Sequence, residues 1–338
     1  MWSLLFVLIA AGTVAAVVTQ SKGFSLTGFL RFIAEANPVF LICAALGMLG
    51  FIVFEGFAII TLCKSFGFRC RKRDGVLYSA ADIYFSAITP SATGGQPACG
   101  YLMIKDGIPA SFTTMALVAN VAAYAMAALS VGLVCLISQP GLLFRFSTFS
   151  RVLIYLGYMV QAVLIAFFSL MLKKKEIISS IGSWVIKLMG KLRLTKKATL
   201  LNGKLHRKME EYGEYSEMLH GKRSMMAKVF LFNILQRVSQ MLVTVFTYLA
   251  TGGKLSEAYH IFCLQTFTSI GVNCVPIPGA MGITDYLMLD CFGSVMGEEA
   301  ATNLELLSRS ISFYSCVILC GAAVIIKIIM QKRKEMKK

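Results

Sequence analysis

The chain has 338 residues, 57% of them hydrophobic and 15% charged, with a mean hydropathy of +0.71 and a formal net charge of +16. Apolar runs of about 18 residues or more recur along it, which excludes an ordinary water-soluble globule and reads as a multi-pass membrane protein. The basic residues adjoin the apolar runs and no nucleic-acid module is readable, so no nucleic-acid partner is expected.

Taken in chain order, spanning helices are predicted at about 1–18, 38–62, 111–138, 148–172, 228–250 and 308–330. The opening "MWSLLFVLIAAGTVAAVV" lacks the basic start of a signal peptide and is expected to stay as a first helix. Orientation follows from basic loops. "CKSFGFRCRKRDG" (63–75) carries five Lys/Arg and one Asp, and residues 173–228 carry 14 Lys/Arg against five Glu, so both are placed in the cytoplasm. The tail "QKRKEMKK" joins them, whereas the acidic "GEEAATNLE" (297–305) is placed outside. These assignments put both termini in the cytoplasm. They hold together only if 76–110 enters from the cytoplasm and returns, and if 256–296 does the same from outside.

The first of these segments contains "ITPSATGGQP" (88–97), unusual in so apolar a chain. Its flanks are each too short to cross a hydrocarbon core of roughly 30 Å, so the run reads as the tip of a re-entrant hairpin. Pro90 and Pro97 are expected to stop the half-helices, and Gly94 and Gly95 to allow special backbone angles. "VPIPGAMGITD" (275–285) repeats the design. The fold expected is all-α and polytopic, with about six spanning helices and two re-entrant helical hairpins in an inverted repeat. Residues 1–138 form one unit (span, span, hairpin, span), and 148–330 form its inverted copy, with a basic loop at 173–227. Such repeats carry substrate where their broken helices meet.

Ionisable residues inside apolar segments point to function, because burying them is costly. Glu55, Asp82 and Asp285 are candidate proton carriers or charge partners, and Arg237 is a candidate phosphate ligand. The structural alternative pairs Arg237 with Glu55 or Asp285. Thr89, Ser91, Thr93 and Gln96 offer hydrogen bonds to a headgroup, Lys105 and Asp106 close the first hairpin, and Asp290 follows the second tip. Asn120, Gln161, Gln236 and Gln265 read as interhelical glue. Ile177 to Met189 form an amphipathic face suited to an anionic leaflet. The ten cysteines show no CxxC pair and the three histidines no ligand spacing, so neither a metal nor a cofactor is expected. No Walker loop, HExxH or GxSxG occurs.

"ITPSATGGQPACGYLMIKDGI" and "PIPGAMGITDYLML" resemble the flippase-like family typified by the transmembrane half of lysylphosphatidylglycerol synthase, the bacterial multiple peptide resistance factor. The likeness extends over nearly the whole chain. Family members often carry PGG followed by Gly and then Glu, where this chain has Ala280 and Asp285. The residues of the two tips, together with the buried cation, make the candidate substrate site Thr89, Ser91, Thr93, Gly94, Gly95, Gln96, Lys105, Asp106, Arg237, Pro278, Gly279 and Gly282. The resemblance implies movement of lysyl-phosphatidylglycerol or a similar modified phospholipid from inner to outer leaflet, which contributes to resistance against cationic antimicrobial peptides. Membrane phospholipids are then the partners, with a separate lysyl-lipid synthase and a homodimer as further possibilities. Full-length members add a cytosolic domain that transfers lysine from lysyl-tRNA; these residues contain none, and no lysyl transfer by this chain alone is expected. The alternatives are the membrane subunit of a phosphatidylglycerol lysyltransferase and an ion-coupled transporter of small solutes.

Overall fold

A computed structural model describes residues 33–89, 92–173, 195–275, 277 and 282–335. The predicted span at 1–18, the amphipathic face at 177–189, and the tip residues Pro90, Ser91, Pro278, Gly279 and Ala280 lie outside the described residues. The described chain is helical, without strands. Its elements are α1 (Pro38–Ser65), α2 (Lys72–Ile88), α3 (Gly95–Lys105), α4 (Ala110–Ser138), α5 (Thr148–Lys173), α6 (Thr195–His220) and α7 (Arg223–Ala250). These are followed by α8 (Ala258–Val272), α9 (Ile283–Met296), α10 (Glu298–Arg309) and α11 (Cys316–Glu335), the last two joined by a π-helical segment, Ser310–Ser315.

Five helical runs are long and apolar enough to cross a membrane: α1, α4, α5, α7 and the continuous run Glu298–Met330. The first four match the predicted spans to within a few residues. The last corrects one boundary. Residues 297–305, read from their acidity as lying outside, are helical from Glu298 onward in α10, and every residue from Ala301 to Arg309 is buried. The reason is its pattern: Leu304, Leu306 and Leu307 pack inward, and the acid Glu305 is buried beside Arg309 one turn on.

Four of the other helices are shorter. At 1.5 Å per residue α2, α3, α8 and α9 are about 26, 17, 23 and 21 Å long, each below the roughly 30 Å of a hydrocarbon core. α2 packs on α3, and α8 on α9, so each pair folds back on itself. The glycines of the first tip work differently from the expectation. Gly94 has right-handed α angles and Ala92 is the residue at positive φ. What Gly95 supplies is closeness: a Cβ there would sit 1.9 Å from Asp82 Oδ1 and 2.0 Å from Ser86 Oγ. Pro97 does not stop a helix either. It lies in the first turn of α3, where its missing N–H costs nothing.

α1 begins at Asn37, whose side chain accepts from the Val39 amide, with Pro38 at the first helical position. It packs most extensively on α7 and next on α2. Against α2 the backbones nearly touch: a Cβ on Gly56 would lie 2.7 Å from the Gly75 carbonyl carbon. Small residues at such crossings are how membrane helices approach closely. One side of α5 (Phe149, Val152, Tyr155, Met159, Val163, Phe167) and α11 residues Ile318, Leu319, Ile325 and Ile326 are exposed apolar surface, as suits contact with lipid chains.

The Gly56–Gly75 contact predicts a stability defect. Gly56→Val should destabilise the protein by about 1–3 kcal/mol through overpacking, measured as a lowered melting temperature of purified protein in detergent.

Candidate functional site

Three nests of buried polar residues emerge, and the predicted site residues divide among them.

The first lies where α1, α2, α3 and α7 meet. Glu55 and Asp82 are both buried, and their carboxyl groups face each other within hydrogen-bonding reach. Ser79 Oγ donates to Glu55 Oε2 at 2.9 Å, and Gln236 Nε2 donates to the same oxygen at 3.2 Å. On the other carboxyl, Gln96 Nε2 donates to Asp82 Oδ2 at 2.5 Å and Ser86 Oγ to Oδ1 at 3.1 Å. The Gly56–Gly75 approach makes this possible, because it brings α2 close enough for the short Ser79 to reach α1. Gln96 therefore binds the protein's own carboxyl. Gln236, expected as glue, bridges α7 to α1.

The second nest holds Arg237, which is buried. Its Nη1 donates to Tyr124 Oη and to Gln240 Oε1, each at 2.7 Å, and Nη2 donates to Ser269 Oγ at 3.3 Å. The guanidinium also stacks over the Tyr124 ring, 4.6 Å from its centre. All these partners are neutral, and among the described residues no carboxylate forms an ion pair with Arg237. The pairing of Arg237 with Glu55 or Asp285 is thus not what the structure contains. Beside it lies a cavity of about 10 Å³ lined by Arg237, Ser269, Thr266 and Ala128, the room needed for about one water.

The third nest surrounds Asp285, at the start of α9. Gly282, with φ of 83°, caps the helix, and its amide donates to Asp285 Oδ2 at 2.9 Å. Arg309 Nε lies 2.9 Å from Asp285 Oδ1 and 3.9 Å from Glu305 Oε1, and all three side chains are buried. The Arg309 guanidinium covers the Phe313 ring at 4.6 Å. Its Nη2 and the Glu305 Oε2 have no hydrogen-bond partner among the described residues. Glu305 escaped the sequence reading because 297–305 was read by its acidity alone, and Arg309, inside the predicted span 308–330, was not singled out. The spacing of four in "ELLSR", beside an apolar run, was the available signal.

The remaining candidates lie elsewhere. Thr89 serves its own tip, donating to Phe85 O at 2.6 Å and accepting from the Gly94 amide at 2.9 Å. Thr93 is exposed. Lys105 and Asp106 end α3, where Asp106 binds Lys327 Nζ at 3.0 Å and accepts from Tyr78 Oη at 3.0 Å, which ties the hairpin to α11. Asp290 accepts from the Ser147 amide at 2.8 Å. Asn120 accepts from Asn233 at 3.1 Å and joins α4 to α7 as expected.

The Asp285–Arg309 pair makes a prediction. Removing the cation alone, by Arg309→Ala, strands two buried carboxylates and should cost about 3–5 kcal/mol. The double change Asp285→Asn with Arg309→Gln should cost less than Arg309→Ala, a comparison read from denaturation of the purified variants.

A family model described as the lysylphosphatidylglycerol synthase TM region matches residues 2–320. No curated protein matches the chain.

Proposed function

Because the chain belongs to the family of lysylphosphatidylglycerol synthase transmembrane regions, we propose that it is a lipid translocase. In this reading it carries a modified phospholipid such as lysyl-phosphatidylglycerol from the inner to the outer leaflet of a bacterial plasma membrane. A cationic outer surface then repels cationic antimicrobial peptides.

One observation carries the reading: Arg237 is a buried cation held by neutral acceptors, beside a cavity between α4, α7 and α8. A charge kept in the membrane interior without a counter-charge is costly unless it is used. A lipid phosphate supplies the missing anion, and the planar guanidinium grips two of its oxygens at once. The cavity has room for about one water, so a headgroup enters only as neighbouring helices part. We further propose that α2–α3 and α8–α9 are re-entrant hairpins approached from opposite faces, as inverted repeats require. Their lengths and back-folding support this, as do the basic loops at 63–75 and 173–228. The hydroxyls of the first tip and Gly282 at the second would line the headgroup's path. The family's description names a synthase, which supports a working partnership with a domain that makes the lipid.

Lysyl-phosphatidylglycerol carries about one net positive charge, so moving it outward against an inside-negative potential costs roughly 2.3 kcal/mol per 100 mV. Synthesis on the inner leaflet, or an inward-moving ion, must supply that energy.

The test is a leaflet assay with defined lipids in proteoliposomes. Arg237→Lys keeps the charge and loses the fork, and should slow translocation about tenfold, the rate equivalent of ~1.4 kcal/mol, with normal insertion. Wild-type rates in that variant would reduce Arg237 to a structural role. The hairpins are tested by labelling single cysteines at Ser91 and Ala280 in a cysteine-free background. Ser91 should label from the cytoplasmic side and Ala280 from outside; the reverse pattern overturns the topology.

A further inference from the structure

We propose that the helical run Glu298–Met330 is a strut that couples the α2–α3 pair to the α8–α9 pair, with its π-helical segment as the switch that sets their relative position. Among the described residues neither α2 nor α3 packs extensively on α8 or α9, so the link between the pairs passes through other elements. The run packs on both. Its α10 part lies chiefly against α9, and its α11 part against α2. α4 touches α3 and α8 as well, but the run is also tied to each pair by charge. Arg309 Nε lies 2.9 Å from Asp285 Oδ1 at the start of α9, and Lys327 Nζ lies 3.0 Å from Asp106 Oδ2 at the end of α3. Every other ion pair between two described residues is local, within four positions in sequence. The two that reach across the fold both end on this run, about 27 Å apart along it.

An unbroken helix held at both ends would only brace the fold. This one changes its winding between the two anchors. Ser310–Ser315 form a π-helical segment, whose i→i+5 bonding takes in about one residue more per turn than an α-helix. Hydroxyls meet the carbonyls that such a turn leaves poorly matched: Ser310 Oγ donates to Leu306 O and Ser315 Oγ to Ser310 O, each at 2.7 Å. The segment is only partly buried, against α1 and α7, whereas every residue from Ala301 to Arg309 before it is buried. Rewinding the π turn as α, with no residue lost, advances α11 by one residue relative to α10, which is about 1.5 Å and about 100° of rotation. That step carries Lys327 around the axis while Arg309 stays with Asp285. The run therefore has two discrete arrangements, which is the property a coupling element needs.

The contact with α2 shows how closely α11 is seated: a Cβ on Gly321 would lie 2.7 Å from Cε2 of Tyr84. A turn of α11 must carry that ring, and so α2, with it. The use of this movement in transport rests on the translocase reading; the coupling itself does not.

The experiment therefore reads coupling without lipid substrate. Hydrogen exchange of the purified full-length protein in detergent is followed by mass spectrometry over α3, α9 and residues 306–316. Lys327→Gln removes the anchor on α11. It should speed exchange in α3 beside it and also in α9, the latter at least about threefold, the low end of the coupling between linked sites. The effect on α9 should vanish in the background Asp285→Asn with Arg309→Gln, where the other anchor is already gone. In wild type the amides of 310–315 should exchange at least about tenfold faster than those of the flanking turns. Deleting Ser312 removes the surplus residue, leaves an α-helix whose ends keep their facing, and should slow those amides to the flanking rate. If the double variant does not fold, Lys327→Gln and the 310–315 amides decide. An effect of Lys327→Gln confined to α3 overturns the strut, and so does an effect on α9 that survives without the second anchor, which would assign the route to α4. Amides at 310–315 as slow as their neighbours, or unchanged by the deletion, overturn the switch. Coupling in a protein that moves no lipid would retain the strut and reject the translocase reading.

Discussion

The contact between Gln236 and Glu55 is the point from which the arrangement is best understood. It joins α7 to α1, the most extensively packed pair of helices, at a depth where water is scarce. A carboxyl group buried there must be met by donors, and each donor dictates the position of an element. Ser79 requires α2 to lie against α1, which in turn requires glycine at positions 56 and 75. Gln96 requires α3 to fold back on α2, which requires glycine at 95. The hairpin is fixed by its polar obligations as much as by its apolar faces, because apolar packing alone gives little direction among lipid tails.

The two halves of the chain handle buried charge in opposite ways. Around α1 and α2 the unmatched groups are acids supported by amides and hydroxyls. Around α7 and α8 the unmatched group is an arginine supported by a phenol, an amide and a hydroxyl. Tyr124, on α4, lies under the guanidinium and within the electrostatic reach of both acids. Asp285 stands apart, its charge already matched by Arg309.

Much of this was legible in the sequence. Long apolar runs gave α1, α4, α5 and α7 nearly to the residue, since hydrophobic length is what a bilayer selects. Glu55, Asp82 and Arg237 stood out because charge is rare in such runs. Their partners did not. Ser79, Tyr124 and Ser269 are ordinary residues whose importance depends on which helices touch, and that information is tertiary. Gly94 and Gly95 were conspicuous for the wrong reason: Gly94 leaves room for Thr89 and the Phe85 carbonyl, Gly95 leaves room for Asp82 and Ser86, and neither is needed for unusual angles. Residues 297–305 were read by charge density and not by helical spacing, and Glu305 was missed with them; Arg309 sat inside the predicted span 308–330 without being singled out.

The near-contact of the α1 and α2 backbones also restricts where hydrocarbon can go. An acyl chain is wider than the space left between Gly56 and Gly75, where not even a methyl group fits. Any tail that trails a headgroup through this protein must slide along some other seam. The acids at Glu55 and Asp82 are consequently walled off from lipid tails on that side.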